Sequence, residues 1–155
     1  MEPVDIKQVL QQVTEEFTHV AMRKNVGIIS QIREATVFAD KIHLAQILEN
    51  LLSNAVKFSP KNSQIHVYCT TTEGKVRVEV QDQGAGILPE EMSRLFIKYQ
   101  KLSTRPTAGE KSTGLGLSIV KQYVEAMQGR VWCQSVPNQG ATFIVEFAQY
   151  HDTLN

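Results

Sequence analysis

The chain has 155 residues, 42% of them hydrophobic and 21% charged, which is typical of one globular domain and argues against a disordered chain. Basic and acidic residues number 16 each, so the charge balance indicates neither a nucleic acid nor a membrane surface as partner. Two cysteines are too few for a disulfide framework, and no apolar run reaches the roughly 18 residues of a membrane span, so we expect a cytoplasmic domain.

The secondary structure follows from the spacing of apolar residues, which is three or four for helices and two for strands. In chain order we predict a helix over residues 4–24, strands over 26–32 and 35–39, a helix over 40–58, strands over 64–71 and 75–81, a short helix over 89–97, a helix over 116–128, and strands over 131–135 and 141–147. Asp40 is a suitable N-cap for the second long helix, and Gly129 is the expected C′ residue of the last one.

Short turns join the predicted strands in pairs. Arg33-Glu34, Glu73-Gly74 and residues 137–140 would each connect two strands. Such pairs predict a mixed, mostly antiparallel sheet, and about three helices would cover one of its faces. The expected architecture is an α+β, two-layer α/β sandwich formed by a single domain over residues 1–148, followed by a C-terminal tail over 149–155.

The helix over residues 40–58 carries an unusual polar stripe. At about 100° per residue, its leucines fall on one face, while Asn50, Asn54 and Lys57 fall close to one line on the other. A solvated face is one interpretation, but asparagine is a poor residue inside a helix because its amide competes for the backbone. An amide oxygen is a hard ligand suited to Mg²⁺, and a lysine suits phosphate. The stripe leaves a metal-phosphate site and a solvated face both open.

Residues 82–86 have the sequence Asp-Gln-Gly-Ala-Gly and follow a predicted strand. Asp82 has the same parity as the valines of that strand, so its carboxylate is expected on the core side, where it needs hydrogen-bond donors. The exocyclic amine of adenine would supply one, and Gly84 and Gly86 would let the backbone turn sharply and approach a ligand. An ordinary turn that ends the strand is the competing interpretation.

Gly114 and Gly116 stand between a polar stretch over residues 100–113 and the start of the last helix. A helix N-terminus presents free N–H groups and a positive dipole end, both of which bind phosphate. The competing interpretation is a flexible helix start. The stretch is not a P-loop, because Arg105 and Glu110 occupy the two glycine positions of that motif.

Taken together and in this order, these segments resemble the catalytic ATP-binding domain of two-component sensor histidine kinases, whose fold is shared with DNA gyrase, the Hsp90-type chaperones and MutL. The resemblance covers nearly the whole chain. Residues 46–58 resemble the N box of that family, residues 82–87 its first glycine box, Phe96 and Tyr99 its phenylalanine box, residues 114–117 its second glycine box, and residues 140–143 a third. Four or five such motifs in register are far more specific than any one alone.

The resemblance implies a role for each matching residue. Asn54 would coordinate Mg²⁺, Asn50 would support the metal-phosphate geometry, and Lys57 and Lys101 would contact phosphate. The further ATP-binding residues would be Phe58, Asp82, Gly84, Gly86, Ile87, Gly114, Leu115, Gly116, Leu117 and Thr142. Residues 102–113 would form a mobile ATP lid, in which Ser112 replaces a glycine often found in the family.

The residue at position 50 separates two activities within this superfamily. The gyrase, Hsp90 and MutL relatives carry a glutamate four residues before the metal-binding asparagine, and it acts as general base toward water. Asn50 cannot take a proton at neutral pH, and the adjacent Glu49 lies about 100° away around the helix. The resemblance therefore implies phosphoryl transfer to a histidine in place of ATP hydrolysis.

None of the four histidines of the chain is followed by both the acidic residue and the proline that mark the acceptor histidine of the family. We therefore expect a monomeric catalytic domain. Its partners would be the dimerisation and phosphoacceptor domain of the same kinase and, downstream, a response regulator. Two alternatives stay open: a serine kinase of the anti-sigma type on the same fold, and a non-catalytic nucleotide-binding interaction module.

Overall fold

Seven strands and three α-helices make up the part of the chain that the structure, a computed structural model, describes, namely residues 1–97 and 116–152. The strands are Glu2–Asp5 (β1), Gly27–Ile32 (β2), Thr36–Ala39 (β3), Gln64–Thr72 (β4), Lys75–Gln81 (β5), Arg130–Ser135 (β6) and Ala141–Ala148 (β7). The helices are Ile6–Met22 (α1), Lys41–Phe58 (α2) and Gly116–Ala126 (α3). A 3₁₀ helix covers Pro89–Arg94, within the short helix predicted there.

Five of the strands form one sheet in the order β2, β4, β5, β7, β6. The β2–β4 pair is parallel, and the three other pairs of this sheet are antiparallel. β1 and β3 form a separate antiparallel pair. The helices pack side by side and against the sheet, with α2 in the middle between α1 and α3. The predicted α+β sandwich with a mixed, mostly antiparallel sheet is confirmed.

The core lies between the sheet and α2. Along β5 the alternate residues Val76, Val78 and Val80 are buried. The same core contains seven apolar side chains of α2: Leu44, Ile47, Leu48, Leu51, Leu52, Ala55 and Val56. Asp40 caps this helix as predicted, accepting from the N–H of His43 at 3.0 Å. Within the described ranges, no helix combines the length and the apolar character needed to cross a bilayer.

The pairing predicted for residues 26–39 is wrong. β2 and β3 both form, but β2 aligns parallel with β4, beginning with a bond of 3.1 Å from the N–H of Gly27 to the carbonyl of Ser63. β3 pairs instead with β1, whose residues 4 and 5 had been assigned to the first helix. Asp5 ends β1 and caps α1 by accepting from the N–H of Gln8 at 3.3 Å. Alternation of side chains identifies a strand but not its partner, so the spacing could not decide this point.

The end of α3 differs from the prediction by one residue. Gln128, with a φ of 60°, takes the left-handed position, and the N–H of Gly129 bonds to the carbonyl of Val124 at 2.9 Å. This is the Schellman arrangement with Gln128, and not Gly129, at C′. Glycine is required at 129 for space, because a Cβ there would lie 2.7 Å from the carbonyl oxygen of Glu146 and 2.8 Å from the ring of Phe147.

The first two residues of the predicted C-terminal tail contact the rest of the fold. Gln149 and Tyr150, assigned to the tail, donate their N–H groups to the carbonyls of Gly74 and Thr36, both at 2.8 Å. The ring of Tyr150 stacks on that of Phe38 with centroids 5.6 Å apart. Gln149 and Tyr150 are therefore packed against the rest of the fold.

Replacing Gly129 by alanine tests whether β7 requires a glycine at this position. The added methyl would meet the backbone of β7 and the ring of Phe147, so we expect the free energy of unfolding in urea to fall by roughly 2 kcal/mol. Gly27→Ala is the matched control, because its Cβ would have its nearest neighbour at 3.9 Å, on Gln64. The control should be neutral or slightly stabilising. Equal stability of the two variants would contradict the packing explanation.

Candidate functional site

The polar face of α2 carries the residues that the sequence singled out. Asn50, Asn54, Lys57 and Phe58 are half-buried, whereas the leucines of the same helix are fully buried. Asn50 and Phe58 lie eight residues apart, which corresponds to about 12 Å along the helix axis. The helix thus lines up two amides, an ammonium and an aromatic ring on the side that does not enter the core.

Asp82 follows β5 and is 5% exposed, as its parity with the valines of that strand predicted. Its Oδ1 accepts from the N–H of Gly84 at 2.8 Å and from the N–H of Ala141 at 3.2 Å. Burial raises the pKa of this carboxyl, and the two backbone bonds offset only part of the rise. Both bonds end on one oxygen, so Oδ2 is the atom through which the carboxylate can accept from a ligand.

The turn after Asp82 packs against the end of α2. A Cβ on Gly84 would lie 2.5 Å from the carbonyl oxygen of Phe58, so glycine lets the two backbones meet here. Gly86 has a φ of 77°, and a side chain there would collide with the carbonyl of Val136. The space beside Gly86 is therefore filled by the β6–β7 turn. This packing requires glycine at 86, and the approach of a ligand that the sequence suggested stays a prediction.

The β6–β7 turn holds Asp82 from the other side. Ile87 donates its N–H to the hydroxyl of Ser135 at 2.8 Å, and this hydroxyl donates to the carbonyl of Gly140 at 3.0 Å. Gly140 has a φ of 83°, and a side chain there would collide with the carbonyl of Asp82. Three segments that are distant in the sequence therefore meet around one carboxylate.

Thr142, which the resemblance assigns to ATP binding, lies on the face of the sheet that is turned away from the core. Side chains alternate along β7, and Ala141 and Phe143 face the core while Thr142 is paired with Gln134 of β6. Ala141 is the residue beside Asp82, and it contributes its backbone N–H. The residue whose backbone bonds to Asp82 is therefore Ala141, one position before Thr142, and the assignment of Thr142 to ATP stays a prediction.

The described start of α3 meets the polar face of α2. A Cβ on Gly116 would lie 3.3 Å from Oδ1 of Asn50. Nearer the start of α2, the rings of His43 and Tyr123 stack with centroids 4.1 Å apart and planes inclined by 7°. Gly116, the first described residue of the second glycine segment, therefore lies beside Asn50, as the hypothesis of one common site requires.

Some of the remaining predicted residues lie within the described ranges, and others lie outside them. Leu117 is half-buried against the core, and the ring of Phe96 meets that of Phe143 edge-on at 6.3 Å. The predictions that lie outside the described residues concern Tyr99, Lys101, the lid over 102–113, Gly114 and Leu115.

Sequence reasoning missed Lys24, which is 7% exposed. Its ammonium donates to the carbonyls of Val56 at 2.6 Å and Lys57 at 3.2 Å. Lys24 stands in the turn after α1, more than thirty residues before these carbonyls. No periodicity or motif marks such a contact in the sequence.

Comparison with known proteins gives a consistent result. Residues 39–151 match the family described as Histidine kinase-, DNA gyrase B-, and HSP90-like ATPase. The chain is 40% identical over 108 residues to the Phytochrome-like protein Cph1 of Synechocystis sp., a match covering 69% of this chain and 14% of that protein. It is 32% identical over 154 residues to the Adaptive-response sensory kinase SasA of Synechococcus elongatus, covering 97% of this chain and 39% of that protein. The chain thus spans well under half the length of these curated relatives.

Solved structures share the fold over nearly the whole chain. The catalytic domain of histidine kinase ThkA gives a TM-score of 0.81 at 27% identity, and the match covers 96% of this chain and 97% of that one. Full-length ShkA, solved in complex with AMPPNP, gives a TM-score of 0.82 at 34% identity, covering 98% of this chain and 32% of ShkA. These similarities therefore extend to α1 and β2, which precede the segment matched by the family.

The raised pKa of Asp82 predicts how its substitution changes stability. A carboxyl whose pKa is higher in the folded state destabilises the fold above that pKa, and the penalty disappears as falling pH protonates it. Asp82→Asn keeps an oxygen for the two N–H groups but carries no charge, so it should unfold at a higher temperature than wild type at pH 7. The difference in unfolding temperature between Asp82→Asn and wild type should disappear toward about pH 3.5, which is below the ordinary pKa of aspartate.

Asp82→Ala is the contrasting variant in the same thermal melts. It leaves the N–H groups of Gly84 and Ala141 without their acceptor, which costs roughly 1–3 kcal/mol for each buried group. If Asp82→Asn melts at a lower temperature than wild type at pH 7, that result would contradict the assignment of Asp82 as a buried charge.

Proposed function

Because the chain belongs to the family of histidine kinase-, DNA gyrase B-, and HSP90-like ATPases, we propose that it binds ATP with Mg²⁺ and transfers the γ-phosphoryl group to a histidine of a separate domain. Relatives that match nearly its whole length are histidine kinases and sensory kinases, so the chain is the ATP-binding catalytic domain of such a kinase. The observation that carries the proposal is that α2 links two contacts: the turn after the buried Asp82 packs against the carbonyl of Phe58, and Gly116 of α3 lies beside Asn50.

We assign recognition of the base to Asp82. Its Oδ2 accepts from the exocyclic amine of adenine, while Oδ1 stays bonded to the N–H groups of Gly84 and Ala141. These two bonds orient the carboxylate before ATP arrives, which reduces the ordering cost of binding. Phe58, half-buried at the end of α2, packs near the base, and the turn over residues 82–87 closes beside it.

The amide face of α2 suits the phosphates and the metal ion. Asn54 would hold Mg²⁺ through its amide oxygen, a hard ligand of the kind this ion prefers, and its half-buried position on the face outside the core fits that role. Asn50 supports the same geometry, and Lys57 binds phosphate. Bound there, the ion would neutralise phosphate charge. By the resemblance, Lys101 also contacts phosphate, and the backbone amides of the second glycine box, Gly114, Leu115, Gly116 and Leu117, complete the set.

Transfer is favoured over hydrolysis by the residues on α2. Asn50 stands where the resemblance puts the general base of the hydrolytic relatives, and an amide cannot accept a proton at neutral pH. Glu49 is turned toward α1, where partial burial and then the neighbouring charge of Glu16 raise its pKa. Glu49 also lies about 100° around the helix from Asn50, the residue that borders the start of α3.

In the proposed reaction an imidazole nitrogen of the acceptor attacks the γ-phosphorus. The bond to the β–γ bridging oxygen breaks, and ADP leaves with its electron pair. The chain forms no covalent intermediate. Asp82 anchors the base, Asn50 and Asn54 orient the phosphates, and Lys57 with Lys101 stabilises the charge that spreads over the transferring oxygens.

We infer that the partners are the dimerisation and phosphoacceptor domain of the same kinase and, after it, a response regulator. ThkA, whose catalytic domain shares this fold, has been solved in complex with the response regulator protein TrrA. Acting on a histidine that another domain supplies, the catalytic domain is expected to be monomeric in isolation and to work in the cytoplasm.

Calorimetric titration of the chain with ATP tests the metal assignment. Removing Mg²⁺ should weaken ATP binding by about tenfold or more, the change that 1.4 kcal/mol of lost contact produces. Asn54→Ala should bind ATP weakly with or without Mg²⁺, because the ligand oxygen is gone. Gln46→Ala, exposed on the same helix, is the control and should behave as wild type. Wild-type affinity in Asn54→Ala, with the metal dependence intact, would show that Asn54 is not the ligand.

The stability of the phosphorylated product identifies the acceptor. When the chain is incubated with γ-labelled ATP and the dimerisation and phosphoacceptor domain of a sensor histidine kinase, the label should appear on that domain. Phosphohistidine is lost in acid, so acid treatment should remove the label. Acid-stable label would indicate a serine kinase instead. Tight ATP binding with no transfer to any competent acceptor would indicate a non-catalytic binding module.

A further inference from the structure

The turn between α1 and β2 places a buried lysine against the end of α2. The ammonium of Lys24 lies 2.6 Å from the carbonyl oxygen of Val56 and 3.2 Å from that of Lys57. The last carbonyls of a helix have no donors within the helix, and they carry the negative end of its dipole. Lys24 therefore acts as a side-chain cap supplied to α2 by a different element of the fold.

Other bonds fix the position of this cap. Ser59 closes the same helix end through its hydroxyl, which donates to the carbonyl of Ala55 at 2.7 Å. Asn25 and Asn62, both in the left-handed conformation, bond through their side chains, and the N–H of Asn62 donates to the carbonyl of Asn25 at 3.1 Å. The turn that carries Lys24 is thus fastened to the turn that follows α2.

The capped turn of α2 is also the one that borders the candidate site. It contains Lys57 and Phe58, and the carbonyl oxygen of Phe58 lies 2.5 Å from where a Cβ of Gly84 would stand. Gly84 in turn donates its N–H to Asp82. A shift in the end of α2 would therefore be transmitted to the turn that holds the carboxylate.

We propose that Lys24 is a positioning residue of the ATP site. By capping the last turn of α2, its ammonium fixes Lys57 and Phe58 relative to the carboxylate of Asp82. In this proposal Lys24 acts on the nucleotide through the helix end. The inference rests on the proposed binding of ATP, but it does not depend on which group receives the phosphate.

The test is calorimetric titration of Lys24→Met with ATP and Mg²⁺, at a temperature where circular dichroism shows a fully folded protein. Affinity should fall by about tenfold or more, because Lys57 and Phe58 would no longer be held in place beside the carboxylate of Asp82. Lys24→Arg keeps a charged donor and should retain most of the affinity. A purely stabilising role would lower the melting temperature of Lys24→Met without changing the affinity of the folded protein.

Arg77→Met is the matched control for Lys24→Met. Arg77 lies on β5 and donates to Glu146 at 2.7 Å, so the variant also removes one positive charge and a donor, leaving Glu146 with Arg130 at 4.0 Å. Its side chain belongs to the sheet face that does not carry Asp82, since the two positions differ in parity along β5. The control should lose stability and keep its affinity for ATP. An equal loss of affinity in the control would overturn the proposal in favour of a general charge effect.

Each further outcome decides the question. Unchanged ATP affinity in folded Lys24→Met overturns the positioning role. If that variant does not fold, Lys24→Gln replaces it, because its amide can still donate to one carbonyl but carries no charge. Weakened binding by folded Lys24→Gln then supports the proposal, and wild-type affinity overturns it. A wild-type chain that fails to bind ATP would contradict the proposed function instead, so the two failures are distinguishable.

Discussion

Burial of one face of α2 fixes the direction of the other face, and the candidate site depends on this constraint. Seven apolar side chains of the helix lie in the core beneath the sheet. Exposing a single leucine would cost about 1.5–3 kcal/mol, so the helix cannot rotate about its axis at reasonable cost. Asn50, Asn54 and Lys57 are therefore held on one line without needing strong contacts of their own. Apolar packing, which has no direction of its own, orients the polar chemistry of the site.

The end of the site around Asp82 is organised by backbone contacts. Gly84, Gly86 and Gly140 are each required because a carbonyl group of another segment, or of Asp82 itself, occupies the place of a side chain. The carboxylate they surround is buried, and its pKa is raised, so it reduces the stability of the fold at neutral pH. A buried charge that costs stability is typical of a functional group that needs a fixed geometry. Recognition of a base amine would give this charge a partner.

The two ends of α2 contribute different kinds of control. Near Asn50 the helix meets the start of α3, and in the proposed reaction the amide at this position would favour transfer over hydrolysis because it cannot serve as a base. At the other end, the ammonium of Lys24 binds the last carbonyls and joins the helix to the turn after α1. The proposed phosphate-binding and base-binding residues all lie on or beside α2. Contacts from α3 at one end of this helix and from the turn after α1 at the other end hold it in position.

The sequence by itself determined the elements other than β1, the fold class and the polar stripe of α2, because the periods of helices and strands are local properties. It also placed Asp82 in the core, since parity along β5 is local too. Tertiary structure alone decided that β2 pairs parallel with β4, that Ala141 and not Thr142 lies beside Asp82, and that Gly129 makes room for β7. Tertiary structure alone also decided the contact of Lys24 with α2. Each of these joins residues that are far apart in the chain, and the spacing of one segment carries no information about the surface it will meet.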